Sequence, residues 1–253
     1  MRVDLLGPLE LTDDGISIHL PGEKLRAIMA TLALSPRMSV SSSELIDELW
    51  GERLTRNAAN SLQSHVARLR RILAERSGKP QLRNLIETTH SGYVLRVDPD
   101  LVDAQRFSRI VAGLEGYRRE PPQRIVELLT EGLALWRGPA LLDAGHGMIC
   151  RTAYVRLEET RLVALELLID AKLEVGQSQI VVPEIEQLCL QHPLRERFCE
   201  QLMTALYLSG RQADALDVFH RTRHRLTNDL GLEPSPRLKR KFQQILNNAP
   251  TRT

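Results

Sequence analysis

Apolar residues in the first twenty positions fall in short runs, Val3–Leu6, Leu9–Leu11 and Ile16–Leu20, broken by Gly7-Pro8 and Asp13-Asp14-Gly15. Short runs between turn-forming residues predict a small antiparallel sheet. The period then lengthens. Pro21 suits the first turn of a helix, and Leu25, Ile28, Met29 and Leu32 follow at helical spacing until Ser35-Pro36 stops them. Ser43 is expected to cap a second helix, with Leu45, Ile46, Leu49 and Trp50 apolar and Gly51 at its end. Leu62, Val66, Leu69 and Leu73 mark the buried stripe of a third. Ile86 to Val97 reads as two β-type runs around Ser91-Gly92, a hairpin. The order βββ-α-α-α-ββ within residues 1–97 predicts a winged helix-turn-helix with an extra N-terminal β-sheet.

Asp98-Pro99-Asp100 is the expected boundary, and 98–253 reads as an all-α domain. Helices are expected at 103–117, 122–136, 151–175, 178–192, 195–209, 212–230 and 235–247; Ile180–Val182 is the one run there with β character, and it is brief. Ala171–Gly176 and Ala205–Gly210 lie 34 residues apart, and the register continues through Val181/Ala215 and Ile185/Phe219. That is the tetratricopeptide period, in which stacked helical hairpins bury a continuous core and present a face to partners. The chain is therefore expected to be mainly α, with α+β character confined to its first domain.

Charge separates the two halves. The whole chain carries a formal charge of only +2, yet Arg53 to Arg83 holds eight Lys/Arg against one acid, Glu75. Residues 98–253 balance at 21 basic and 21 acidic groups. The basic excess sits on the third helix, whose polar side carries Asn57, Asn60, Ser64, Arg68 and Arg71 opposite the apolar stripe. Amides near a helix start suit base edges and arginines further along suit phosphates, whereas a neutral helical half suits protein contact. A basic face alone is as often solvated surface; the hairpin that follows favours nucleic acid.

Other chemistries find little support. No apolar run approaches the roughly 18–20 residues of a membrane span. The start MRVDLLGPLE lacks a signal-peptide core, which leads us to expect a cytoplasmic, nucleoid-associated protein. Cys150, Cys189 and Cys199 have no CxxC spacing and read as free and mostly buried. His220 and His224 could share a metal on one helix face, but Arg221, Arg223 and Arg225 would repel it. No phosphate loop, GxSxG or HExxH occurs. Neither an enzyme nor a bound cofactor or metal is expected.

LLGPLEL at 5–11, LIDELWG at 45–51, LQSHVARLRRIL at 62–73 and SGYVL at 91–95 resemble the OmpR-type winged helix of the Streptomyces antibiotic regulatory proteins. VDAQRF at 102–107, LALWRGPALLD at 133–143, HPLRERFCEQLMTALYLSGRQADAL at 192–216 and LTNDLGLEPSPRL at 226–238 are similar to that family's bacterial transcriptional activation domain. The resemblance covers nearly the whole chain. It implies an activator of a biosynthetic gene cluster making an antibiotic or other secondary metabolite. Such a protein binds promoter direct repeats near the −35 region of double-stranded DNA, as a homodimer or side-by-side oligomer, and recruits RNA polymerase holoenzyme through the sigma factor and other subunits. Two segments depart from the pattern. Thr88, Thr89, His90 and Ser91 occupy the wing turn, where many related wings carry arginine, and Gly145 to Cys150 does not read like the family's linker.

In this reading Asn57, Asn60, Ser64 and Arg68 face base edges, Arg56, Arg70, Arg71, Arg76 and Lys79 face phosphates, and Thr88, Thr89, His90 and Tyr93 form the wing. For Arg70 the alternative is a stem that covers apolar surface at the edge of the buried stripe. Trp50 reads as packing; Tyr93 reads as holding the wing to the body with its hydroxyl free to reach the backbone. Two rival functions remain: a repressor using the same winged helix, and a helical-repeat scaffold for which the basic helix is incidental.

Overall fold

Strand β1 (Arg2–Asp4) pairs antiparallel with β2 (Glu10–Asp13), which pairs with β3 (Ile16–Ser17), in the registers Val3 to Leu11 and Thr12 to Ser17. Past Asp4 the chain leaves this ladder, but Leu5 and Leu6 are fully buried and their amides need acceptors. Asp103 supplies them: its two carboxylate oxygens accept from Leu5 N at 2.6 Å and Leu6 N at 3.0 Å. The carbonyls of Leu5 and Leu6 in turn accept from Leu141 N at 2.8 Å and Arg137 N at 2.7 Å. The segment LLG is thereby tied to chain that follows it by about a hundred residues.

The winged helix follows as α1 (Glu23–Leu34), β4 (Ser39–Ser41), α2 (Ser42–Trp50), α3 (Ala58–Ser77), β5 (Ile86–Thr88) and β6 (Gly92–Leu95), with the second sheet ordered β4-β6-β5. Strand β4 is absent from the sequence reading. Its residues Ser-Val-Ser hold one apolar side chain, so no period is visible, and the strand exists because β6 pairs with it from Ser39–Val94 to Ser41–Gly92. Gly92 permits that approach: a Cβ there would stand 2.0 Å from Val40 O. The cap of α2 also differs from expectation. Ser41, not Ser43, is the N-cap, accepting from Glu44 N at 3.1 Å while the Glu44 carboxylate accepts from Ser41 N at 2.8 Å. The reciprocal capping box satisfies two helix-start amides at once, which a cap at Ser43 would not do.

Residues beyond the hairpin complete the same body. Helix α4 (Asp103–Gly116) brings Phe107 edge-on to Trp136 at 5.3 Å, and Arg161 lies over the same indole at 4.5 Å. The unusual stretch Gly145 to Cys150 leads into helix α6 (Met148–Glu174), whose first amides are taken by buried Glu48 of α2: Ile149 N at 2.6 Å and Cys150 N at 3.0 Å. Gly147 allows this, since a Cβ on it would lie 2.2 Å from the Glu48 carboxyl carbon.

The computed structural model describes residues 1–51, 57–116 and 120–247. It divides into two compact units, Met1–Arg118 with Thr130–Leu162, and Arg119–Leu129 with Val163–Thr253. The boundary read near residue 98 is one of local sequence; the first packed unit takes in residues on both sides of it. Helix α5 (Pro122–Leu133) precedes α6, and α7 (Ser178–Gln191), α8 (Glu196–Leu208), α9 (Gln212–Leu230) and α10 (Pro236–Asn247) follow. The β-type run Ile180–Val182 lies inside α7, where Val181, Ile185 and Leu188 form a buried helical stripe that overrides local β propensity.

In the second unit the 34-residue repeat is reproduced bond for bond. Val175 N donates to Ala171 O, Gly176 N to Leu173 O and Gln177 N to Lys172 O; Ser209 N, Gly210 N and Arg211 N donate to Ala205, Tyr207 and Leu206 O. Both glycines are left-handed, φ 82° and 78°, and no atom lies within 4 Å of a Cβ built on either. Backbone conformation, not crowding, selects glycine at both turns. Ala171 and Ala205, and Val181 and Ala215, are equivalently buried. Among the described residues no helix is long and apolar enough to cross a membrane.

Burial pushes the Asp103 carboxyl up to about 6, against the pull of the Leu5 and Leu6 amides and with a further push from Asp4. An acid whose folded value exceeds its unfolded value, about 3.9, binds its proton more tightly when folded. Its contribution to stability therefore falls as pH rises across that window. Asp103→Asn should abolish this dependence. It should also cost about 1–3 kcal/mol at low pH, because its NH2 would face an amide donor. Denaturant unfolding of both proteins between mildly acid and neutral pH measures the difference; a constant offset between the two would refute the titration.

Candidate nucleic-acid interface

Helix α3 is oriented by its buried side. Leu62, Val66, Leu69 and Leu73 are each no more than 1% exposed, and burying each such side chain stabilises by about 1.5–3 kcal/mol. The opposite side is therefore held in solvent: Asn57, Ala59, Asn60, Gln63, Ser64, Ala67, Arg68, Arg71 and Arg76 are all exposed. Asn60, Ser64, Arg68 and Arg71 thus share one face with Gln63 and Ala67, two residues absent from the sequence reading. The same helical spacing would have found both. Gln63 offers an amide that pairs with adenine and Ala67 a methyl-sized surface for thymine. Ser64 donates its hydroxyl proton to Asn60 O at 2.9 Å, which leaves its oxygen as an acceptor. Asn57 is the N-cap residue, but its side chain makes no capping bond. Arg56 lies outside the described residues.

The expected phosphate contacts separate into two kinds. Arg70 and Lys79 are engaged within the fold. Arg70 Nε donates to Ile86 O at 2.8 Å and Nη2 to Thr88 Oγ1 at 2.8 Å, fastening α3 to the wing, and its guanidinium lies 6.0 Å from the Tyr93 ring. Lys79 bridges Asp13 at 2.6 Å and Asp14 at 2.5 Å on the β2–β3 turn. Those hydrogen bonds hold the Lys79 ammonium above its ordinary value, and the Lys79 bond holds Asp13 below its own. Arg71 makes only a 3.9 Å contact with Glu75, both side chains 61% exposed, a pair too loose and solvated to compete with a phosphate. Arg68, Arg76 and Arg83 have no ion-pair partner among the described residues and are exposed.

The wing is short and tightly closed. Thr89 N donates to Gly92 O at 2.8 Å, Gly92 N donates to Thr89 Oγ1 at 3.1 Å, and Ser39 and Thr89 hydroxyls lie 3.0 Å apart. His90 and Ser91 are exposed at the tip, and Arg96 pairs with Glu87 at 2.7 Å along one side. Tyr93 is buried in the hairpin, 6% exposed, so it packs the wing to the body. Trp50 is half-buried, with the Lys24 ammonium 4.1 Å from its ring and His65 6.2 Å away. Burial, with Lys24 and Arg68 nearby, holds His65 below its ordinary value and neutral near pH 7. The free groups are thus amides, a hydroxyl and arginines along one helix face, with no group of His, Cys, Asp or Glu placed to hold a metal among the described residues.

Arg68→Ala should cost about 1–3 kcal/mol on a preferred site and less on a scrambled one, if it reads a base edge. Arg76→Ala should weaken binding to both equally. Equal losses for the two variants across site and scramble would make Arg68 a phosphate anchor. Arg70→Ala should lower the melting temperature of the protein without DNA, which separates it from both.

Two family models match the chain: the transcriptional regulatory protein C-terminal domain over residues 17–95, and the bacterial transcriptional activator domain over residues 102–246. The transcriptional regulator RedD of Streptomyces coelicolor is 42% identical, over 99% of this chain and 71% of that protein. The regulatory protein DnrI of Streptomyces peucetius is 34% identical, over 99% and 93% respectively. The structure of Mycobacterium tuberculosis EmbR in complex with a low-affinity phosphopeptide is similar with a TM-score of 0.90 and 32% identity, covering 99% of this chain and 66% of that one.

Proposed function

The chain belongs to the Streptomyces antibiotic regulatory protein family of transcriptional activators, and from that premise we propose that it binds direct repeats near the −35 region of its target promoters and recruits RNA polymerase holoenzyme. The observation that carries the DNA half of this reading is the exposed face of α3, where Asn60, Gln63, Ser64, Arg68 and Arg71 stand together opposite a fully buried stripe. The face offers base-reading amides and cations on a helix whose rotation is set by packing. Asn57 and the wing tip at His90 and Ser91 extend the same contact. Direct repeats call for two copies side by side, each placing one α3 in a major groove. The helical second half, neutral in sum and built from repeats, suits a protein partner, and we assign it the polymerase contact.

Footprinting on the promoter of a neighbouring biosynthetic cluster should protect two equally oriented half-sites. Affinity should fall steeply with salt, since each phosphate neutralised contributes about −0.9 to the slope of log affinity against log salt. A flat response would remove the functional role of the basic face.

A fragment of residues 1–162, which keeps every residue after 129 that the first unit packs, should occupy the site without activating purified holoenzyme. Fusing that fragment to an unrelated dimeriser of matching geometry separates two roles for the rest of the chain. Activation restored by the fusion would make the second half a dimerisation device; occupancy without activation supports the polymerase contact.

A further inference from the structure

Cys189, in the last turn of α7, and Cys199, in the first turn of α8, are brought together at one end of the helical hairpin where those helices pack, near enough for each thiol to act on the other. Both cysteines are free; Cys199 is buried and Cys189 is partly exposed. Arg221 and Arg225 of α9 place positive charge beside the sulfurs. The Thr222 hydroxyl stands between them in sequence but spends its proton on Val218 O at 2.8 Å. Two neighbouring thiols, one of them partly exposed, beside arginine side chains, are the arrangement in which a thiolate forms and a second sulfur is at hand to resolve its oxidation. Packing alone does not call for this: apolar side chains would fill the same space without reactivity.

We propose that Cys189 and Cys199 form a dithiol modification site, converted by peroxide-class oxidants into an intramolecular disulfide that ties α7 to α8. The neighbouring Cys189 thiol holds Cys199 down to about 7 against the effect of burial, with Arg225 adding to the pull and Glu196 opposing it. The Cys199 sulfur beside it and burial push Cys189 up, so it keeps its proton. The Cys199 thiolate attacks one peroxide oxygen: an S–O bond forms, the O–O bond breaks, and hydroxide leaves. The Cys189 sulfur then attacks the sulfenic sulfur. The S–S bond forms, the S–OH bond breaks, and the departing hydroxide takes the Cys189 proton as water. Both sulfurs are oxidised and the peroxide is reduced, with no further reagent. The site is separate from the DNA-reading face and does not depend on the regulatory reading.

Cys150 is an internal control. It is 1% exposed, and burial together with Glu48 pushes its thiol up to about 12, so it stays protonated and unreactive.

The test is peptide mapping of the full chain after treatment with hydrogen peroxide at neutral pH and alkylation of the remaining thiols. Trypsin cuts after Arg195 and Arg197, between the two cysteines, so a disulfide appears as two linked peptides. The expected result is a Cys189–Cys199 link that dithiothreitol reverses, that is lost in Cys189→Ser, and that persists in Cys150→Ser. Isotopically mixed chains confirm that the link lies within one molecule. Sulfinic or sulfonic acid at either position without a link, a link involving Cys150 or a second chain, or two thiols that remain fully alkylatable would each overturn the proposal.

Discussion

A buried backbone amide that leaves a sheet must find another acceptor, and in the first unit that requirement falls on one carboxylate. Leu5 and Leu6 are fully buried yet unpaired with β2, and Asp103 accepts from both. Its Oδ1 also takes the Ala104 amide at the start of α4. Three donors on one carboxylate offset part of the cost of burying its charge. They also make chain beyond the wing part of the body that carries the wing. Glu48 does the same at a second place, closing the start of α6 from within α2. Neither acid lies on the exposed face of α3, but the frame that holds that helix is joined by these two acids.

Helix α3 shows how one residue type serves opposite ends. Arg70 and Arg68 lie two positions apart on α3. Arg70 finds a backbone carbonyl and a hydroxyl on β5 and becomes a strut. Arg68 faces away, and nothing in the described fold engages it. Lys79 is likewise a strut, held between two aspartates. Counting basic residues therefore overstates the charge available to DNA. What remains is a narrower and better-defined set, in which cations flank the reading groups instead of surrounding them.

Periodicity made the helices legible. Each buried stripe repeats within one segment, so α1, α3 and α4 to α10 could be read locally to within a few residues. The 34-residue repeat was legible for a related reason: its glycines must be left-handed and its alanines must fit between helices, so identity follows conformation. Strand β4, the Ser41 cap, the struts from Arg70 and Lys79, and the acids at Asp103 and Glu48 were not legible. Each depends on a partner far away in sequence, and a polar side chain gives no periodic sign of whether its partner is water or a buried amide. Gly145 to Cys150 illustrates the limit. It looked anomalous because its spacing answers to the Glu48 carboxylate, not to any pattern of its own.

In the second half the equal numbers of cations and acids are also paired in space, which composition alone does not show. Arg197 pairs with Asp170 and Glu200, Arg237 also reaches Glu200, and Arg195 pairs with Glu166. Burial would lower Arg197, but Asp170 and Glu200 outweigh it and hold the guanidinium above its ordinary value. These cations bind helix to helix, α8 to α6 and to α10, within the repeat stack. Because they are matched by acids at contact distance, their field falls off quickly into solvent. The two halves of the chain have similar numbers of arginines per residue, and the difference between the basic face of α3 and the neutral helical stack is made by where the carboxylates are. Within α3 the one acid in the sequence is Glu75, near its C-terminal end; in the repeats nearly every cation named here has one.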